Sequence, residues 1–216
     1  ILAASSEAKD PYTAGHQREV SRLSEAVALE MGLGLEEARR VGLAAMVHDI
    51  GKIEVPSEIL SRPGRLGDIE RKLIETHAEA GRRILKDIAL DWPLAEIVHQ
   101  HHERIDGSGY PRGLSDGQIL PEARIIAVAD VFDALTSERC YKPAWSNEEA
   151  FAALRDMSAW KLDPICVDAL CNCPAKIREI QAQFRDEPEE VRQFNLLRTS
   201  DYGRNAGFGS ILDAMI

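Results

Sequence analysis

Apolar residues recur at intervals of three and four along most of the chain. Val20, Leu23, Val27 and Met31 form one stripe and predict an amphipathic helix over 17–31, ended by Gly32 and Gly34. Val41, Ala44, Ala45 and His48 mark a second over 36–49, which Gly51 stops. Ile69, Leu73, His77, Ala80 and Ile84 make a third, Leu94, Ile97, Val98 and His101 a fourth, and Ile126, Val128, Val131 and Leu135 a fifth. A sixth helix is expected from Ser146, where Glu149 three residues on completes a capping box, through Phe151 and Leu154 to Met157. Another is expected over 176–184. Runs of β-branched residues are short and interrupted, so the predicted fold class is all-α. Two stretches rich in Gly and Pro, 53–67 and 106–121, are expected as loops, and loops of that length are often functional.

The 216 residues suffice for one sizeable domain with a continuous core, plus a possible appendage. Lys and Arg number 26 against 36 Asp and Glu, a formal charge of −10 that repels a duplex nucleic acid over any broad surface. A small phosphorylated ligand held through metal ions is not excluded, because bound cations override the overall sign locally. No run of eighteen apolar residues occurs, so no membrane contact is expected of this chain. Cys140, Cys166, Cys171 and Cys173 are too few and too clustered for a disulfide scaffold and lack the paired spacing of a zinc site. They read as incidental and fit a cytoplasmic setting. The chain begins at Ile1, without Met, and is expected to be part of a longer protein.

The six histidines carry most of the candidate chemistry. His16 opens the first helix, His48-Asp49 closes the second, His77 lies inside the third and His101-His102 ends the fourth. Asp130 sits in an otherwise apolar helix, where a carboxylate is costly to bury without a cation beside it. Taken singly, each histidine is more ordinarily a core or surface imidazole. Together they supply the imidazole and carboxylate ligands that a two-metal centre needs. His99 matches no ligand position and is expected to pack or face solvent.

The string His48-Asp49-Ile50-Gly51-Lys52, with His101-His102-Glu103-Arg104-Ile105-Asp106-Gly107-Ser108-Gly109-Tyr110-Pro111 downstream, closely resembles the HD-GYP subfamily of the HD phosphohydrolases. The resemblance runs from about Asp10 to Pro174. It implies an HD-domain-like helical bundle with a GYP-containing loop, acting as a cyclic di-GMP phosphodiesterase in bacterial second-messenger signalling. It also implies His16, His48, Asp49 and Asp130 as ligands of one metal and Asp49, His77, His101 and His102 as ligands of the other, with Asp49 bridging. Two divalent ions are expected; the nitrogen and oxygen donors favour iron or manganese, with others open. Lys52 would stand by the scissile phosphate. Tyr110, Arg139 and Lys142 would contact the nucleotide. Glu103 and Asp106 either orient ligand imidazoles from behind or cap the loop.

Two departures from the subfamily pattern matter. Tyr12 stands where some members carry a glutamate for a third metal, so two ions are expected, and Glu19 stands where an arginine is usual, which makes the site more acidic. The domain reading is a linker end over 1–9, the catalytic domain over 10–174 and a helical or irregular appendage over 175–216. Alternatives to cyclic di-GMP hydrolysis are a weakly active cyclic-dinucleotide-binding or protein-interaction module, and an HD phosphohydrolase for another cyclic dinucleotide. A protein partner at the GYP loop and a homodimer are further expectations.

Overall fold

The computed structural model describes residues 15–60, 66–137, 144–158 and 160–185, and every long element among them is a helix. In chain order these are α1 (His16–Glu30), α2 (Leu35–Met46), a 3-10 turn (Ile50–Glu54), α3 (Ser57–Leu60), α4 (Asp68–Leu85), α5 (Leu94–Gln100), a short 3-10 turn (Asp116–Gln118), α6 (Pro121–Thr136), α7 (Asn147–Met157), α8 (Pro164–Asn172) and α9 (Pro174–Arg185). Their chemistry explains where they start. Ser146 Oγ accepts from Glu149 N while Glu149 accepts from Ser146 N, the expected capping box of α7. Pro121 and Pro164 open α6 and α8 at positions whose missing N–H costs nothing.

The central element is α6. Residues Ile125 to Ala129 and Val131 to Thr136 are all buried, and α1, α5, α7 and α8 pack around it. One large core joins Val20, Leu23 and Val27 of α1, Val41 of α2, Phe132 of α6 and Leu154 of α7. A second, small cluster of Ile50, Leu85 and Val98 lies where the first 3-10 turn meets α4 and α5. The candidate residues are thus carried by two bodies of different size.

Several boundaries differ from the periodicity. Helix α2 stops at Met46, so His48 and Asp49 lie in a turn, where Val47 N–H bonds back only three residues to Ala44. The expected stripe on α4 holds only in its second half: Ile69 is 85% exposed, and burial begins at His77. Helix α8 was absent from the sequence reading. Its signals are Asp163, which accepts from Ile165 N and Cys166 N, followed by Pro164. Residues 175–185, expected within the appendage, belong to α9 and bury Ile177 and Ile180 in the large core, a contribution of about 1.5–3 kcal/mol each. The 53–67 stretch contains α3. No helix among the described residues is long and apolar enough to cross a membrane.

Candidate metal centre

Five elements meet at one place. His16 comes from the first turn of α1, His48 and Asp49 from the turn after α2, His77 from the middle of α4, His101 and His102 from the end of α5, and Asp130 from α6. Gly51 makes this meeting possible. A Cβ there would lie 1.9 Å from the His77 carbonyl oxygen, so only glycine lets the His48-Asp49 turn rest against the α4 backbone. That is its reason for being glycine, rather than the ending of a helix.

The ligand atoms form two adjacent sets, Asp49-His77-His101-His102 and His16-His48-Asp130. Asp49 faces both. Its Oδ1 is 3.4 Å from His77 Nε2, and its Oδ2 is 3.4 Å from His48 Nε2 and 2.7 Å from Lys52 Nζ. His16 Nε2 lies 3.3 Å from Asp130 Oδ1, and His48 Nε2 lies 4.0 Å from the same oxygen. The imidazoles are aimed by their other nitrogens. Nδ1–H of His48, His77 and His101 donates to the carbonyl three residues earlier, at Ala45, Ile74 and Val98, over 2.6 to 2.7 Å. Because a carbonyl only accepts, each Nε2 is left with its lone pair. His77 Nε2 and His101 Nε2 then face each other at 3.2 Å, a lone-pair opposition that a cation between them relieves. The buried Nε2 of His48 and Nδ1 of His102 have no hydrogen-bond partner. Such donors, nitrogen and oxygen without thiolate, fit divalent transition metals.

Electrostatics separates the two sets. Burial opposes charge on His16, but Asp133 and Asp130 outweigh it and raise its pKa to about 10. His48 is also raised, by Asp49 against burial. Asp49 and Asp130 are held well below the usual carboxylate range despite burial, the first by Lys52 and His48, the second by His16 and His48. In the other set burial dominates. It lowers His77, and it drives His101 and His102 well down together with the neighbouring imidazoles.

Residues 3–165 match the family model described as HD domain. The chain belongs to the HD domain family. Among its relatives, it is 42% identical over 185 residues to the cyclic di-GMP phosphodiesterase response regulator RpfG of Xanthomonas campestris, covering 85% of this chain and 49% of that protein. It is 39% identical over 166 residues to the 3'3'-cGAMP-specific phosphodiesterase 3 of Vibrio cholerae, covering 76% of this chain and 36% of that one. The chain spans about half or less of the length of these curated relatives. Of solved structures, the Vibrio cholerae cyclic GMP-AMP specific phosphodiesterase V-cGAP3 aligns over 100% of this chain and 59% of its own, with a TM-score of 0.63 and 16% identity, which shows the shared fold. The expected all-α, HD-like architecture is what the HD domain displays.

For two supporting residues of the HD domain the structure chooses between the expected roles. Glu103 does not orient an imidazole: its two oxygens accept from Arg112 N and Leu114 N, both at 2.8 Å, and hold the GYP loop. Asp106 accepts from Ser108 N and Ser108 Oγ within the same loop. Both carboxylates therefore cap the loop, and the orienting role falls to backbone carbonyls and to Asp133. The sequence reading missed Asp133, whose Oδ2 sits 2.5 Å from His16 Nδ1. The available signal was its place one turn after Asp130 on an apolar helix.

Tyr110 reaches the site because Gly109 presses on the end of α5, where a Cβ would lie 2.4 Å from the His102 carbonyl. Its ring stacks on His102 at 4.7 Å, and burial keeps its phenol protonated. Arg104, a second missed residue, is 1% exposed and donates to the carbonyls of Glu103 and His101, which stiffens the His101-His102 turn. Glu19 lies one turn beyond His16, half-buried. His99 is buried away from both sets, with Nε2 2.6 Å from Glu79 Oε2. Burial pushes the Cys166 thiol up to about 12, as suits a packing residue. Tyr12, Arg139, Cys140 and Lys142 lie outside the described residues.

Proposed function

We propose that this chain is the catalytic part of a metal-dependent phosphodiesterase that opens cyclic di-GMP to linear pGpG in bacterial second-messenger signalling. The convergence of His16, His48, Asp49, His77, His101, His102 and Asp130 into two sets, with Asp49 offering one oxygen to each, carries the reading. The relatives named for cyclic di-GMP at 42% and 43% identity support the substrate. Two divalent ions, with iron or manganese favoured, would be held by these sets; bound there, they supply water activation near neutral pH and offset charge on phosphate oxygens.

The chain's own residues do the rest. In the reaction the oxygen of a water forms a new bond to phosphorus, the bond from phosphorus to the 3′ oxygen breaks, and a proton of the water ends on that oxygen. Lys52, 18% exposed and anchored on Asp49, brings an ammonium to the phosphate side of the site. Tyr110 offers a protonated phenol beside the imidazoles, and Glu103 keeps the loop that carries it in place. Arg139 and Lys142 are proposed as further nucleotide contacts.

A second reading is favoured by relatives at 39% identity named for 3'3'-cGAMP, a cyclic dinucleotide with one adenine. A side-by-side assay decides. Metal-loaded protein is given cyclic di-GMP, 3'3'-cGAMP and a nucleoside monophosphate, with elemental analysis of the same sample. Faster turnover of cyclic di-GMP to pGpG with two ions bound is expected. Preference for 3'3'-cGAMP overturns the substrate, and intact substrates at full metal occupancy overturn the activity.

A further inference from the structure

We infer that Asp133 is the positioning residue of the His16 ligand and that it makes the two metal positions unequal. The inference rests on the two-ion reading above. Asp133 follows Asp130 by three residues on α6, so both carboxylates project from one face of the helix toward α1. They hold the His16 ring from its two nitrogens, Asp133 Oδ2 at 2.5 Å from Nδ1 and Asp130 Oδ1 at 3.3 Å from Nε2.

The side chain of Asp133 is 1% exposed, and its second oxygen has no hydrogen-bond partner. A carboxylate buried so completely on an apolar helix is costly unless a specific partner needs it, and among the described contacts that partner is His16. The contrast with the other imidazoles gives the consequence. His48, His77 and His101 lean on neutral backbone carbonyls, whereas His16 leans on a full negative charge. An anionic partner fixes the ring orientation and increases the electron donation of the opposite nitrogen, and removal of such a partner weakens metal affinity about 10–100-fold. Asp133 therefore strengthens the His16-His48-Asp130 position alone.

The test is titration of metal-free protein with Mn²⁺, read by calorimetry or by competition with a chelating dye, not by turnover. Wild type is expected to take two ions. Asp133→Asn, which keeps shape and one acceptor oxygen, is expected to weaken one ion by about 10–100-fold and leave the other unchanged, and Asp133→Ala to weaken the same ion further. A purely structural aspartate predicts that both ions weaken together. The His16→Gln variant and the His16→Gln/Asp133→Asn double variant guard against misfolding, since the double variant removes the buried pair whole. Their remaining ion is expected to bind equally well. Two ions bound with wild-type affinity by Asp133→Asn, or a weaker remaining ion in the double variant, overturn the inference alone. A wild type that never takes two ions overturns the two-ion reading and the inference with it.

Discussion

The two halves of the site are built on different principles. The half formed by His16, His48 and Asp130 rests on the large core through α1 and α6, and its carboxylates raise the pKa of both histidines against burial, that of His16 to about 10. The half formed by His77, His101 and His102 rests on the small cluster of Ile50, Leu85 and Val98, and burial, helped by neighbouring cationic and imidazole groups, lowers the pKa of its rings. One half favours protonated rings; the other favours neutral ones. Asp49 and the turn that carries it are the seam, which makes the seam the most sensitive place in the molecule.

The largest effect is therefore expected at Asp49. Asp49→Ala removes an oxygen from each set, and elemental analysis is expected to show both ions lost, with turnover down more than about 10³-fold. Loss of only one ion would mean that the halves are independent. Gly51→Ala comes next. Its new Cβ meets the His77 backbone, which cannot move like a side chain, so the turn must lift from α4. A loss of about 1–3 kcal/mol in chemical denaturation is expected, together with weaker binding of both ions. An unchanged midpoint would show that the seam is slack.

The halves also differ in their response to pH. The folded-state pKa of His16 stands above its unfolded value of 6.5, so its stabilising charge is fully present below 6.5 and is lost as pH rises through about 10. Metal must displace that proton, so affinity at the carboxylate half is expected to climb from pH 7 toward 10. Affinity at the imidazole half, already deprotonated at pH 7, is expected to stay flat. Calorimetry at pH 7 in buffers of different ionisation enthalpy checks this: about one proton is released from His16 for the ion that binds there. Equal proton release for both ions would erase the distinction. The smallest effect is expected at His99, whose Glu79 contact lies outside both sets. His99→Gln should bind two ions with the affinities of wild type.

Much of the site was legible because metal binding demands particular residue types in a particular order. The His48-Asp49 pair, the His101-His102 string and Asp130 on an apolar helix are visible without coordinates. Asp133 was not, since its place one turn after Asp130 on an apolar helix says that it needs a partner but not which one, and the two partners are 117 positions apart. Glu103 and Asp106 show the converse: their nearness to the histidines in sequence left a role behind the ligands and a role in the loop equally open, and the tight GYP loop claims both carboxylates. Gly51 was read as a helix stop because glycine commonly is one, whereas its purpose is a backbone contact with α4.

Local patterning by itself determined that the chain is helical, that the helix carrying Asp130 is otherwise apolar, and which histidines and aspartates are candidate metal ligands, because periodicity and side-chain type are properties of short segments. Only the tertiary structure decided which nitrogen of each imidazole faces the site, which carboxylate stands behind His16, and which oxygen of Asp49 faces which half. Those are relations between residues tens of positions apart. They exist once Gly51 and Gly109 let backbones touch and burial in two cores holds the rings still.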